Sequence, residues 1–242
     1  MQGETPTHPE LLDWLAGELI RSGWHLKPIH KLIVSTATYA QSHEYDQRRS
    51  GLDPENRMLW TRRPLRLEGE ILRDSILAVS GSLDRQMYGP PVRPFIPKEA
   101  IATRTLNPWP DVKDGPESWR RSIYLFSKRS IRIPMLETFD APDPSTTCGR
   151  RLTTTLPTQA LTLLNDGFVR NQARRFAERV IEKAGPEGKA EVRAAYRLAL
   201  SRNPSAHEIE SGQEFLRKGD QKEMLVDLCH VLFTLNEFAY VD

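Results

Sequence analysis

Apolar residues recur at helical spacing at both ends of the chain and lose that spacing in the middle. Leu12, Leu15 and Leu19 stand at i, i+3 and i+7, with Leu11 and Trp14 widening the face. Thr7 and Glu10 have capping-box spacing, Pro9 fits the first turn and Gly23 marks an end, so the pattern predicts a first helix here. A second helix is expected from Pro28 to about Ala40, with Ile29, Leu32 and Ile33 on its inner face. The polar stretch 41–56 reads as a surface connection. A third helix is expected from about Pro64 to Ser80, stopping at Gly81. From Pro157 onward the spacing is helical again. Leu161 and Leu164 mark one helix, closed by Asn165-Asp166-Gly167, and Val169, Ala173, Phe176 and Val180 mark the next, which stops at Gly185. Val192, Tyr196 and Ala199 mark another helix. Ser205 with Glu208, and Asp220 with Glu223, are two further capping-box spacings, the second opening a helix with Leu225, Leu228, Leu232 and Leu235.

Between these ends, Pro90, Pro91, Pro94, Pro97, Pro108, Pro110 and Pro116 forbid long helix. Arg121 to Ser127 reads as a short strand, before Pro134, Pro142 and Pro144 interrupt the chain again. The expected fold is mainly α: a helical domain with a long proline-rich central excursion and at most a small β element. It reads as a single domain over 1–242, in which residues 1–88 are helical, residues 89–156 form a proline-rich loop and short strand, and residues 157–242 are helical.

Composition narrows the function classes. The 242 residues can bury a real core, and 34 Lys+Arg against 32 Asp+Glu give a net charge of +2. So small an excess weighs against a dedicated nucleic-acid binder. No apolar run reaches the roughly 18 residues of a membrane span. The two cysteines, Cys148 and Cys229, form neither CxxC nor CxxCH, so no haem c is expected on this chain and no cofactor is indicated. HExxH and the glycine-rich phosphate loops are absent too. Met1 to Pro6 is short and polar and carries no signal-peptide pattern.

Three groups of residues could carry chemistry. Arg66, Glu70 and Asp74, at i, i+4 and i+8, with Arg73 beside them, can share one helical flank; Glu70 or Asp74 would then work next to an anion-binding arginine. Solvated ion pairs are the ordinary alternative. Second, Arg120, Arg121, Lys128, Arg129 and Arg132 interleave with Trp119, Tyr124 and Phe126 and no acid. Such a segment can take an acidic or sulfated glycan by ion pairing and stacking, or it can be a charge-protected edge strand. Third, Asp140 and Asp143 precede Cys148, Arg150 and Arg151; two carboxylates in Pro-rich turns are weak grounds for a cation site, and no metal is assigned. Gln159 and Asn165 read as structural amides that bond the proline-rich loops.

Several motifs in order are similar to a known family. His8-Pro9-Glu10-Leu11-Leu12-Asp13-Trp14-Leu15-Ala16 is one. Others run from Gly23 through His30 and Ser35 to Tyr39, from Asp53 and Asn56 through Arg66, Glu70, Arg73 and Asp74 to Asp84, from Arg121 to Asp143, and from Arg151 to Asn165. Together they resemble a planctomycete cytochrome-associated C-terminal domain of unknown function, of PSD-one type. The resemblance implies a periplasmic or cell-envelope setting, with c-type cytochrome domains upstream as partners and haem c on them. Measured against it, the chain is expected to be an N-terminally truncated family domain. Three functions follow. One is an accessory binding module for acidic or sulfated polysaccharide, using Arg66, Arg73, Arg121, Tyr124, Arg129 and Arg151. Another is a hydrolytic enzyme with a carboxylate/arginine site, using Glu70 or Asp74 with Asp140 and the flanking arginines. The third is a structural domain that docks cytochrome domains.

Overall fold

The computed structural model describes residues 5–101, 109–149, 151–185 and 187–241. Its helices are α1 (Pro9–Arg21), α2 (Leu26–Val34), α3 (Gln47–Leu52), α4 (Gly69–Ser80), α5 (Lys98–Ile101), α6 (Pro134–Thr138), α7 (Pro157–Asn165), α8 (Gly167–Ala184), α9 (Gly188–Leu200), α10 (Ala206–Leu216), α11 (Gln221–Thr234) and α12 (Asn236–Ala239). Strands β1 (Leu65–Arg66) and β2 (Tyr240–Val241) pair in a two-strand sheet. The fold is therefore mainly α, with a small β element. Contacts divide the chain into two units, one of residues up to Leu65 and one of Arg66–Val241.

The first unit holds α1, α2 and α3, and none of these helices buries a residue. The capping box expected at Thr7 and Glu10 does not form. His8 is the N-cap, without a side-chain bond to the helix, and the Thr7 hydroxyl instead meets His8 Nδ1 at 2.8 Å. Gly23 does follow the end of α1, at φ +66°, which a residue with a Cβ rarely adopts. The second helix stops at Val34, six residues short of the expected Ala40, because Ser35 and Thr36 turn their hydroxyls onto Lys31 and Ile33 carbonyls and compete with the helical ladder. The expected surface connection contains α3, whose N-cap Asp46 accepts from Arg49 N–H.

The second unit is built on α8. Its Val169, Ala173, Phe176, Ala177 and Val180 form a fully buried stripe. Leu72 and Ile76 of α4, Val192 and Ala195 of α9, and Leu225, Cys229, Leu232 and Phe233 of α11 join the same core. The third expected helix begins at Gly69 rather than Pro64, because residues 65–66 pair as a strand and Leu67 N–H donates to Ala239 O. Its apolar face belongs to this core, so the division between units falls inside the 1–88 segment. The closure at 165–167 is as the sequence reads: α7 ends at Asn165, and Asp166 caps α8 by accepting from Phe168 N–H at 2.8 Å. Cys229 lies in the core and Cys148 at the surface, so the two are not bonded to each other.

The strand expected at 121–127 is not there. Ser122–Tyr124 forms a 3-10 turn, and only Leu125 keeps a single bridge, to Val92. The reason is local. Asp74 accepts from both the N–H and the hydroxyl of Ser122, which bends the backbone before a ladder can start.

The capping box at Ser205 and Glu208 is complete. Glu208 is also gripped by Arg202, which reaches Glu237 as well, and these bonds hold its carboxyl down at about 2. A carboxyl lowered in the folded state adds stability above its ordinary titration range and loses it as pH falls through the folded value. Glu208→Gln is thus expected to lower the melting temperature at neutral pH, with the gap to the unsubstituted protein closing as pH approaches about 2; thermal unfolding across that range is the check.

Candidate functional site

The sequence-predicted residues fall into separate bonded groups within the second unit. Arg66 is 6% exposed and lies outside α4, so it does not share a helical flank with Glu70 and Asp74. Its Nη2 reaches Asp140 at 2.6 Å, its Nε donates to Thr154 O, and the guanidinium covers the Phe139 ring. Asp140, in the left-handed region at φ +61°, also accepts from Thr154 N–H and hydroxyl. Gln159 completes the group by donating to Thr138 O and Thr154 Oγ1, the structural role expected of it. Asn165 caps its own helix, donating to Leu161 O.

Arg73 sits in α4 and is 4% exposed. Its Nη2 donates to Ser118 O at 2.6 Å, and its Nη1 donates to Arg120 O at 3.0 Å and Ser122 Oγ at 3.2 Å. Burial pushes this guanidinium down to about 10, against the pull of Asp74 and Asp114, so it stays charged at neutral pH. Arg120 is buried too. It donates to Gln86, Tyr88 and Pro90 carbonyls and stacks over the Tyr124 ring at 4.0 Å. The Tyr124 hydroxyl accepts from Tyr88 N–H. Arg121 is exposed, its Nη1 3.9 Å from the Met87 sulfur, and Arg129 is exposed as well.

Two cavities open beside these groups. The larger, about 300 Å3, has Leu125, Phe126, Ile131 and Leu136 in its wall and Glu70, Lys128, Arg132, Glu137 and Asp143 on its rim. The rim carboxylates are already matched. Arg151 binds both oxygens of Glu70 at 2.9 and 3.1 Å, which keeps the guanidinium above its usual value, and Arg132 bonds Glu137 and Asp143. Asp143 is held below the ordinary carboxylate range by Ser145. The smaller cavity, about 200 Å3, is walled by Phe95, Phe168, Met135 and Pro134 and touches Arg73, Asp114 and Asp166. Burial and the Asp114 charge raise the Asp166 carboxyl, against its two backbone hydrogen bonds.

The three candidate carboxylates thus answer to different partners: Glu70 to Arg151, Asp74 to Ser122, and Asp140 to Arg66 and Thr154. Among the described residues Asp140 and Asp143 do not share a partner. Among the described residues no group of three or more His, Cys, Asp or Glu is placed to hold a metal ion. Arg150 lies outside the described residues. The basic run in the sequence includes Arg120, but no spacing announces its burial; sequence reasoning missed Asp114 and Asp166 as site residues. Only Asp166 left a signal, the Asn-Asp-Gly closure, and that signal reads as a turn.

A model of the family described as "PSD1: Protein of unknown function (DUF1553)" matches residues 1–216. The chain belongs to this family. No curated protein and no solved structure matches it. Within this PSD1-family chain, then, the arginine groups must be judged by what they bond. Arg73 donates to buried carbonyls, so its removal strands acceptors in the core. Arg73→Met is expected to cost about 3–5 kcal/mol in urea unfolding. Glu70→Gln, at a part-exposed pair, should cost about 1 kcal/mol or less. Equal effects would contradict this division.

Proposed function

We propose that this PSD1-family chain is an accessory binding module of a cell-envelope, cytochrome-associated system, and that it works by docking a c-type cytochrome domain. The observation that carries the reading lies in the first unit. Helices α1, α2 and α3 bury nothing, yet Leu11, Leu12, Trp14 and Ile20 of α1 and Leu26, Ile33 and Val34 of α2 are exposed. Seven large apolar side chains left exposed on α1 and α2 are the material of an interaction surface. Trp14 and Trp24 supply the large aromatic anchors that carry binding energy at interfaces. The occupant comes from the resemblance, which links such domains to c-type cytochromes in the envelope. Among the described residues no helix is long and apolar enough to cross a membrane.

Acidic or sulfated polysaccharide is a second reading, favoured by the exposure of Arg121 and Arg129 in a segment without acids. It has narrower support than the sequence suggests. Arg66, Arg73 and Tyr124 are engaged in internal bonds, and Arg151 is matched by Glu68 and Glu70. The hydrolytic reading has less still, because among the described residues no two of Glu70, Asp74 and Asp140 share a bonding partner.

Leu12→Asp with Trp14→Asp tests the docking reading in the full chain. Both positions are already exposed, so the melting temperature should hold. Affinity for a c-type cytochrome domain, measured by surface plasmon resonance, should fall by about 2 kcal/mol or more. No binding by the unsubstituted chain, or equal binding by the variant, would sink the reading; retained binding to sulfated polysaccharide lost only in Arg121→Ala with Arg129→Ala would favour the second.

A further inference from the structure

The C-terminal end of α8 and the outer face of α9 border an open groove of about 590 Å3. Its floor is small and apolar: Ala184, Ala190, Ala194 and Leu198, all half-buried. Its flank is basic. Lys189, Arg193 and Arg197 follow one another at i, i+4 and i+8 on α9, and Lys183 adds a fourth cation from α8. All four are exposed. Among the described residues of the lining, Glu187 is the one acid.

Several cations near this stripe are paired within the unit. Arg202, shortly after α9, is held by Glu208 and Glu237, and Arg170 on α8 by Asp227. Lys183, Lys189, Arg193 and Arg197, by contrast, enter no ion pair or side-chain hydrogen bond among the described residues. The acid on α9 itself, Glu191, points the other way: it is 1% exposed and accepts from Gln221. Like charges four residues apart on a helix repel, costing a few tenths of a kcal/mol per pair, and an ordinary surface helix offsets them with interleaved acids. Here, among the described residues that line the groove, Glu187 alone stands against four cations.

We propose that this groove docks an acidic amphipathic helix of a partner protein. The cations stand about 6 Å apart along the axis, the spacing at which another helix presents acids at i, i+4 and i+8. The row Ala190, Ala194, Leu198 is one i±4 ridge, whose two alanines let a second helix approach closely and whose leucine meets its apolar stripe. Among the described residues the lining has no aromatic ring, so it lacks the stacking platform a sugar or a base would use. The site lies in the second unit and is independent of the docking surface on the first.

The probe is a labelled synthetic helix carrying Glu at i and i+4 along one flank and Leu and Ala beside it, titrated into the full chain by fluorescence anisotropy. It should bind at low salt and weaken as salt rises, since the contacts are screened. Arg193→Glu with Arg197→Glu should weaken it about tenfold or more. That variant should keep its fold, because both side chains are exposed, and Arg193→Glu alone should raise the melting temperature by placing an acid four residues from two cations. The proposal is overturned if the peptide does not bind, or if the charge-reversed variant binds it equally well. It is also overturned if heparin or phosphatidylglycerol vesicles bind more tightly than the peptide with the same dependence on Arg193 and Arg197, for then the groove takes a polyanion or a membrane surface.

Discussion

A proline-rich chain cannot satisfy its own backbone, because each proline removes a donor and breaks the ladders that would use the carbonyls. In the second unit those carbonyls are met by buried arginines. Arg73 reaches from α4 to Ser118 and Arg120 carbonyls, Arg120 reaches on to those of Gln86, Tyr88 and Pro90, and Arg66 holds Thr154 and Asp140. A guanidinium suits this work, since its planar fork offers several donors at fixed angles and its charge strengthens each bond. The cost of burying the charge is met by bonds on several sides, and in two of the three cases by a carboxylate as well.

This constraint explains what the charges that stand out in the sequence do in the fold. Arg66, Arg73, Asp74 and Asp140 stand out in the sequence as possible chemistry, and in the fold they stitch irregular backbone to helices α4, α6 and α7. The charges left over sit elsewhere. Arg121 and Arg129 stay exposed on the excursion, and the basic row of α9 faces an open groove. The surfaces that invite partners are therefore separate from the residues that first attract attention.

The fold was legible where periodicity and caps agree. Val169, Ala173, Phe176 and Val180 mark α8 by spacing alone, and the Ser205–Glu208 box and the Gly81 stop are where the pattern puts them. It was not legible where tertiary bonds override local signals. Ile123 and Leu125 alternate like a strand, but Asp74, far away in sequence, bends Ser122 into a 3-10 turn. Arg66, Glu70 and Asp74 have helical spacing, yet Arg66 is drawn into a strand pair with the C-terminal segment and out of the helix. Thr7 matches a cap and does not act as one. The site suffered most, since whether an arginine binds a ligand or a buried carbonyl depends on partners that lie 45 to 88 residues away, as for Arg73 with Ser118 and Arg66 with Thr154.

Native-state hydrogen exchange of individual amides tests this account most directly. If buried guanidiniums tie the excursion to the core, the amides of Ser122, Phe126 and Thr154 belong to the same cooperative unit as α8. They should exchange as slowly as those of Ala173 and Phe176, and lose protection together with them in denaturant. Exchange of Ser122 and Thr154 far faster than α8, with no shared opening, would show a loosely laid excursion and contradict the account.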